Sequence, residues 1–506
     1  MKTKKIFNFL LLLGFLSGCD YLDIVPDNLP TLEMAFNNKS SAERFLFTCY
    51  SFVPEHGKIG TDPGMDVGDE VWYYSDNSAD YSNKTTFWIA KGMQNSNEPL
   101  VDYWNGAQWG KAMFVGIRDC NVFIENIDKV PDLSAYDKET WKAEAKVLKA
   151  FYHFWMMRMY GPIPIIKENI PVSAGEDEVR VVRDKIDDIV TYIVSLIDES
   201  VEYLPLNIQN EAAEMGRITR PAAKAIKAKI LAFAASPFFN GNLDYANFKN
   251  AEGEPFFNQV YDNEKWTKAA DACLEAIQCA EEAGHGLYEF VNMSSTQLSD
   301  ETILSLSNRC KVTERWNKEL VWGCGQSGIR DLQVLCQPWL ESNYSSDDRY
   351  HNARNGTFAP TLAVAETFYT KNGVPMDEDK NYDYSKRYTT QVATEADKYY
   401  IQPGYTTAKL HFDREPRFYA TLGFDGSSWY GIGKMDDNDM WYLQAKAKQA
   451  SGKRGNTLYS ITGYFAKKLV RYQNAMVPAS IQIETYPFPI IRLADLYLLY
   501  AEALNE

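Results

Sequence analysis

Two clusters in this 506-residue chain combine flat aromatic rings with short polar side chains, groups that could seat a ring-shaped, hydroxylated ligand. Such a ligand offers C–H groups on its faces and hydroxyls around its edge. Aromatic platforms and hydrogen-bonding groups of defined geometry answer these two features, and binding without cleavage requires nothing more. Trp72, Tyr73 and Tyr74, with Asp76, Asn77 and Tyr81 close behind, form the first cluster, in a stretch with no helical period. Trp339, Asn343, Tyr344, Asp348, Arg349 and Tyr350 form the second. Trp429–Tyr430 and Trp441–Tyr442, flanking a glycine-rich acidic loop, rank third. The competing reading of each cluster is packing, because large aromatics in long loops commonly seal the loop against a core. Trp104 and Trp109 precede the segment Ile117–Asn121, which reads as a helix, and are assigned to packing.

Other chemistries find less support. A glycosidase needs two carboxylates about 5 to 9 Å apart, one of them kept protonated by its surroundings. Asp69–Glu70 could supply half of such a pair, but among 68 acidic residues a chance neighbour is easily found. Gly323, Gly325 and Gly328 match a dinucleotide-binding fingerprint after the strand-like Leu320–Val321–Trp322, with Asp347 or Asp348 about 20 residues on. The alternating strands and helices of that fold are missing around it. Asp377, Asp379, Asn381 and Asp383 have calcium-loop spacing, but Tyr382 stands where glycine is needed and Tyr388 where glutamate should chelate. A solvated acidic loop is the better reading, as it is for Asp436, Asp437 and Asp439. No HExxH or CxxC spacing occurs, and nothing calls for a metal or a cofactor.

The chain opens with Lys2, Lys4 and Lys5, an apolar run from Ile6 to Leu16, then Ser17–Gly18–Cys19. This is the layout of a secretory leader, too short for a spanning helix of about 20 apolar residues. A cysteine directly after Leu–Ser–Gly fits a bacterial lipoprotein, with Cys19 the lipidated first residue of the mature chain. Losing the three leader lysines takes the formal charge from −16 to −19, which argues against nucleic acid as a partner. Seven cysteines remain after Cys19; an odd number cannot all pair, and buried thiols are expected.

Apolar positions Trp141, Ala145, Leu148, Tyr152, Trp155 and Met159 recur at spacings of 4, 3, 4, 3 and 4, one stripe of a helix that Gly161–Pro162 stops. Further stripes run through Ile186–Leu196, Ala222–Phe233, Trp266–Ala280 and Leu493–Ala503, with Thr219 as N-cap and Pro221 in the first turn of the second of these. Such helices, joined by short turns, suggest degenerate tetratricopeptide-like pairs. The expected organisation is a leader over 1–18, a lipidated terminus and tether over 19–37, and a helical region with inserted loops over 38–299. An irregular, loop-rich region follows over 300–487, then a last helix over 488–506.

Several segments, in order, resemble one family, the SusD/RagB nutrient-binding lipoproteins of the Bacteroidetes outer membrane. They are Cys19–Asp23 with Pro26, Ala143–Tyr152 running into Tyr160–Pro164, Ile218–Ala223 through Ala234–Asn240, Asp413–Tyr419, Thr462–Tyr464, and Arg492–Glu506. The resemblance implies a mainly helical fold of four tetratricopeptide-like pairs with an irregular ligand-facing region. It also implies a cell-surface lipoprotein that binds oligomeric nutrient, usually glycan, over a SusC-type TonB-dependent transporter, without catalysis. It places the segment before Pro360–Thr361 near the ligand face and reads the Gly323–Gly328 glycines as turns. A peptide-binding member of the same family and a helical glycoside hydrolase are the alternatives. Family chains continue past the Ala501–Glu502–Ala503 helix, so a truncated sequence is expected; otherwise that helix would leave an apolar face open.

Overall fold

The computed structural model describes residues 32–73, 85–293, 295–325, 327–341, 353–456, 458–477 and 480–506. Cys19, the leader, Tyr74, Asn77, Tyr81, Asn343, Tyr344, Arg349 and Tyr350 lie outside the described residues.

Six longer helices build the described part of the first half: α1 (Lys39–Tyr50), α2 (Met113–Asn126), α3 (Ala135–Tyr160), α4 (Ile186–Asp198), α5 (Arg220–Ala235) and α6 (Glu264–Glu282). Each packs on its neighbour in the stack, α2 on α3, α3 on α4 and α5 on α6. The ends follow local chemistry. Ser134 accepts from the Asp137 amide at the start of α3, and Gly161, at φ 69°, takes the left-handed conformation that ends it. Thr219 caps α5 through the Ala222 amide, with Pro221 in the first turn. Ala232 and Ala235 of α5 are buried in one cluster with Trp266, Ala269 and Ala270 of α6, and side chains this small let the two helices come close.

Helix α3 is buried on nearly every side, so its polar residues must find partners inside. Glu144 accepts from Arg217 Nη2 at 2.6 Å and Nε at 3.0 Å, and from the Tyr50 hydroxyl at 2.5 Å. The same hydroxyl accepts from the Ile218 amide at 2.8 Å. One carboxylate thereby joins α1, α3 and the entry to α5. His153 is also satisfied, with Nδ1 2.8 Å from the Lys149 carbonyl and Nε2 3.2 Å from the Ile166 amide.

The second half has α7 (Asp300–Thr313), α8 (Ile329–Cys336), α9 (Pro416–Thr421) and α10 (Leu493–Asn505). Its strands are short and pair only in twos. In chain order they include β1 (Val71–Tyr73), β2 (Leu320–Cys324), β3 (Phe358–Pro360), β4 (Ser428–Trp429), β5 (Trp441–Tyr442) and β6 (Phe488–Arg492). β1 pairs antiparallel with β3, β4 with β5, and β2 with β6. A core around Phe358, Trp429 and Phe465 holds this half together, with a neighbouring one around Phe418 and Phe424.

Three expectations need correction. Residues 488–492 are a strand, and the last helix begins at Leu493. Phe36, assigned to the tether, is buried against Phe45 and Phe123. Trp109, assigned to packing, is 73% exposed, whereas Trp104 does pack, edge-on to Phe114 and Tyr160. The strand before the Gly323–Gly328 run, β2, pairs antiparallel with β6 and with no other described strand, an arrangement unlike the parallel βαβ unit of a dinucleotide site. Asp379 is saturated by donors, Thr370 Oγ1, Asn372 Nδ2 and the Asn381 amide. All seven described cysteines are buried, as expected. No described helix is long and apolar enough to cross a membrane.

Candidate functional site

The β4–β5 ribbon sets opposite Trp429 the ring of Trp441. Trp429 is fully buried, with the Arg309 guanidinium 5.3 Å from its ring. Trp441 is only half-buried; its Nε1 donates to the Ile432 carbonyl at 3.1 Å and Lys434 Nζ sits 4.5 Å from its ring. With Tyr442, held by its hydroxyl to the Lys398 carbonyl at 3.1 Å, it walls a cleft of about 690 Å³. That volume lies within the range of small-molecule sites.

The rest of the wall combines Leu340, Met440 and Ala450 with polar, amide-rich side chains: Gln402, Gln444 and Gln449, with Lys448 and Arg454. Gln402 Oε1 is buried and has no hydrogen-bond partner, an acceptor left unspent in the wall. Gln449 Oε1 accepts from the Tyr405 hydroxyl and the Lys446 amide, both at 2.9 Å, which fixes the side chain. No carboxylate is among the described residues of this wall. Chemically, the arrangement offers one aromatic edge and several amide and cationic groups to a polar, ring-bearing ligand.

The expected site residues fall around this cleft unevenly. Trp339 is buried behind it, donating from Nε1 to the Ala353 carbonyl at 3.0 Å; its neighbour Leu340 reaches the wall. Tyr73 is 1% exposed, edge-on to Phe87 and Phe358, and its hydroxyl points at Asp66 Oδ1, 3.4 Å away. Its ring therefore has no free face for a ligand, and the packing alternative describes it and Trp339 as folded here. Trp72 is half-buried, 4.9 Å from Phe87. Asp69 and Glu70 are exposed, not held in an apolar pocket of the kind that keeps a carboxylic acid protonated. The third-ranked pair, Trp441–Tyr442, is the one that lines the cleft. Gln402, Gln444, Gln449, Lys448 and Arg454 carried no signal in the sequence, since each is an ordinary polar residue in a loop.

A model of the SusD family matches residues 330–506, and a second, described as starch-binding associating with outer membrane, matches residues 20–231. A SusD-like protein of Formosa agariphila is 23% identical over 240 residues, 46% of this chain and 43% of that protein, so the match spans less than half of the relative. Among solved structures, BT4246 superposes with a TM-score of 0.76 at 27% identity, over 92% of this chain and 78% of its own. A SusD-like protein from Bacteroides fragilis gives 0.64 at 18% identity, over 93% and 75%. A SusD-like carbohydrate binding protein from the same species gives 0.57 at 18%, over 93% and 74%. The last two similarities concern the fold alone.

Proposed function

The chain belongs to the SusD/RagB family, and from that membership we propose that it is a glycan-binding lipoprotein of the outer cell surface. It captures oligosaccharide or polysaccharide and passes it to a SusC-type TonB-dependent transporter, without altering it. The observation that carries this reading is the wall of the Trp441 cleft: an aromatic edge beside three amides, one with an unspent buried acceptor. Amides suit sugar hydroxyls because each offers donors and an acceptor together, and they bind without desolvating a full charge. Lys448 and Arg454 stand where a hydrolase would need paired carboxylates. The description of the second matching family as starch-binding and outer-membrane-associated supports both the ligand class and the location. A lipid on Cys19 would hold the body near the transporter, where tethering raises its effective concentration.

The test is affinity electrophoresis against a polysaccharide panel, with products monitored in the same mixtures. Protein beginning after Cys19 should be retarded by at least one glycan and release no product. Trp441→Ala should weaken that retention about tenfold or more, the scale of losing one stacking residue. Peptide binding without glycan binding, product release, or retention untouched by Trp441→Ala and Gln402→Ala would overturn the assignment.

A further inference from the structure

A second concavity, of about 330 Å³, lies on the helical half, between α3, α5, the 56–65 segment and β6. Its wall mixes apolar surface, from Phe154 and Phe488 among others, with four polar side chains: His56, Asp62, Arg158 and Lys229. Arg158, near the end of α3, is exposed at the mouth. Its guanidinium lies 5.3 to 5.4 Å from the rings of Phe154, Trp155 and Phe233, and it makes no ion pair among the described residues. Lys229 Nζ donates to the Ile490 carbonyl at 3.3 Å, again with no ion pair among the described residues, so protons remain to give. The acid in the wall, Asp62, accepts from the Gly57 amide at 2.8 Å and the Gly64 amide at 3.0 Å. Two cations against one carboxylate leave this wall positive in a chain of charge −16.

His56 supplies an independent observation. Its Nε2 is buried without a hydrogen-bond partner, while Nδ1 faces Asp62 Oδ2 at 3.9 Å. Burial, then the charges of Lys229 and Arg158, push the imidazole down to about 3, so it is neutral at pH 7. With its proton on the Asp62 side, Nε2 keeps a lone pair that no described residue uses, on a ring that lines the cavity. A site that takes a hydroxyl at one point, an anion at two others and apolar ring surface between them has a defined complement.

We propose that this cavity binds a carboxylate carried on a hydroxylated ring, the carboxylate on Arg158 and Lys229 and a hydroxyl donating to His56 Nε2. Guanidinium pairs bidentately with a carboxylate, and the apolar wall with a hydroxyl acceptor favours a ring-bearing acid over a compact inorganic anion. The ligand is either a small free acid or a uronate unit of a longer chain. The site is built from residues that the Trp441 cleft does not use, so it stands or falls separately from the glycan-binding assignment.

Titration calorimetry on protein beginning after Cys19 tests it with glucuronate, glucose, inorganic sulfate and an oligogalacturonate. Glucuronate should saturate, with glucose and sulfate at least tenfold weaker. Arg158→Gln and Lys229→Gln should each weaken glucuronate about tenfold, a range usual for one charge-assisted hydrogen bond. Trp441→Ala should leave it unchanged. Binding of oligogalacturonate as tight as that of glucuronate identifies a chain unit, and exclusion of the oligomer identifies a free acid. Arg158 is exposed, so its replacement leaves the fold in place, which circular dichroism checks. Equal affinity for glucose or sulfate, no saturable glucuronate binding, or an Arg158→Gln protein that binds like wild type would overturn the proposal.

Discussion

Lys467 is a lysine with nowhere to put its charge. It is buried, donating to the Tyr419 carbonyl at 2.7 Å and the Ser428 carbonyl at 2.9 Å, with the Trp429 ring 5.8 Å away. Burial, and then the nearby Arg309 charge, push it down to about 7. Unfolded, it would titrate near 10.5, so between pH 7 and 10.5 the unfolded chain holds a proton that the native state does not. Stability therefore rises with pH across that interval, by up to about 1.4 kcal/mol per pH unit for each such group. Lys468, pushed down to about 8 by burial first and by Arg492 and Lys311, adds to the rise with the same sign. Urea midpoints measured from pH 7 to 9 should climb, and Lys467→Met should flatten the slope while lowering overall stability, because two carbonyls lose their donor. An unchanged slope would show that Lys467 is charged in the native state at neutral pH. The Glu144–Arg217 pair makes the opposite kind of claim. Removing either partner strands a buried charge, so Arg217→Ala should cost about 3 to 5 kcal/mol in urea unfolding. A double replacement, Glu144→Leu with Arg217→Met, should cost much less than the sum of the two single changes.

At the scale of elements, the α5–α6 contact rests on small side chains. Ala235 is fully buried there, and Ala235→Leu should destabilise by about 1 to 3 kcal/mol through overpacking, whereas the same change at half-buried Lys224 should cost less. Thr219→Ala should cost about 1 kcal/mol by freeing the Ala222 amide, measured by thermal unfolding. These elements were legible because helix periodicity and capping are local: the stripe from Trp141 to Met159 lies within α3, and Thr219 does cap α5. The cleft was far less legible. Trp72, Tyr73, Trp339 and Trp441 are the same kinds of residue in sequence, and whether a ring packs or lines a cavity is decided by partners far along the chain. Tyr73 meets Phe358, 285 positions away, and Trp441 meets Trp429 across a ribbon whose strands are two residues each. No period of 2 can be read over two residues.

At the scale of the whole molecule, segments far apart in sequence close on one another. β6 and α10 bring residues 488–505 back onto β2 and α6, and Arg492 Nη1 meets Glu319 Oε1 at 3.0 Å. Removing residues 488–506 should expose Trp322 and the outer side of α6 together, so the shortened protein should bind a hydrophobic dye and lose its cooperative transition. A shortened protein that unfolds like the original would show that the two halves fold independently. The seven buried thiols have a practical consequence for all of these experiments. A folded chain that begins after Cys19 offers thiol reagents almost nothing to attack, because each sulfur must first be uncovered by opening of the structure. A cysteine placed at Trp109, which is 73% exposed, would then be a single addressable handle for a fluorophore or a surface linkage. The native thiols would meanwhile serve as built-in reporters, their slow labelling timing the moments at which the interior opens.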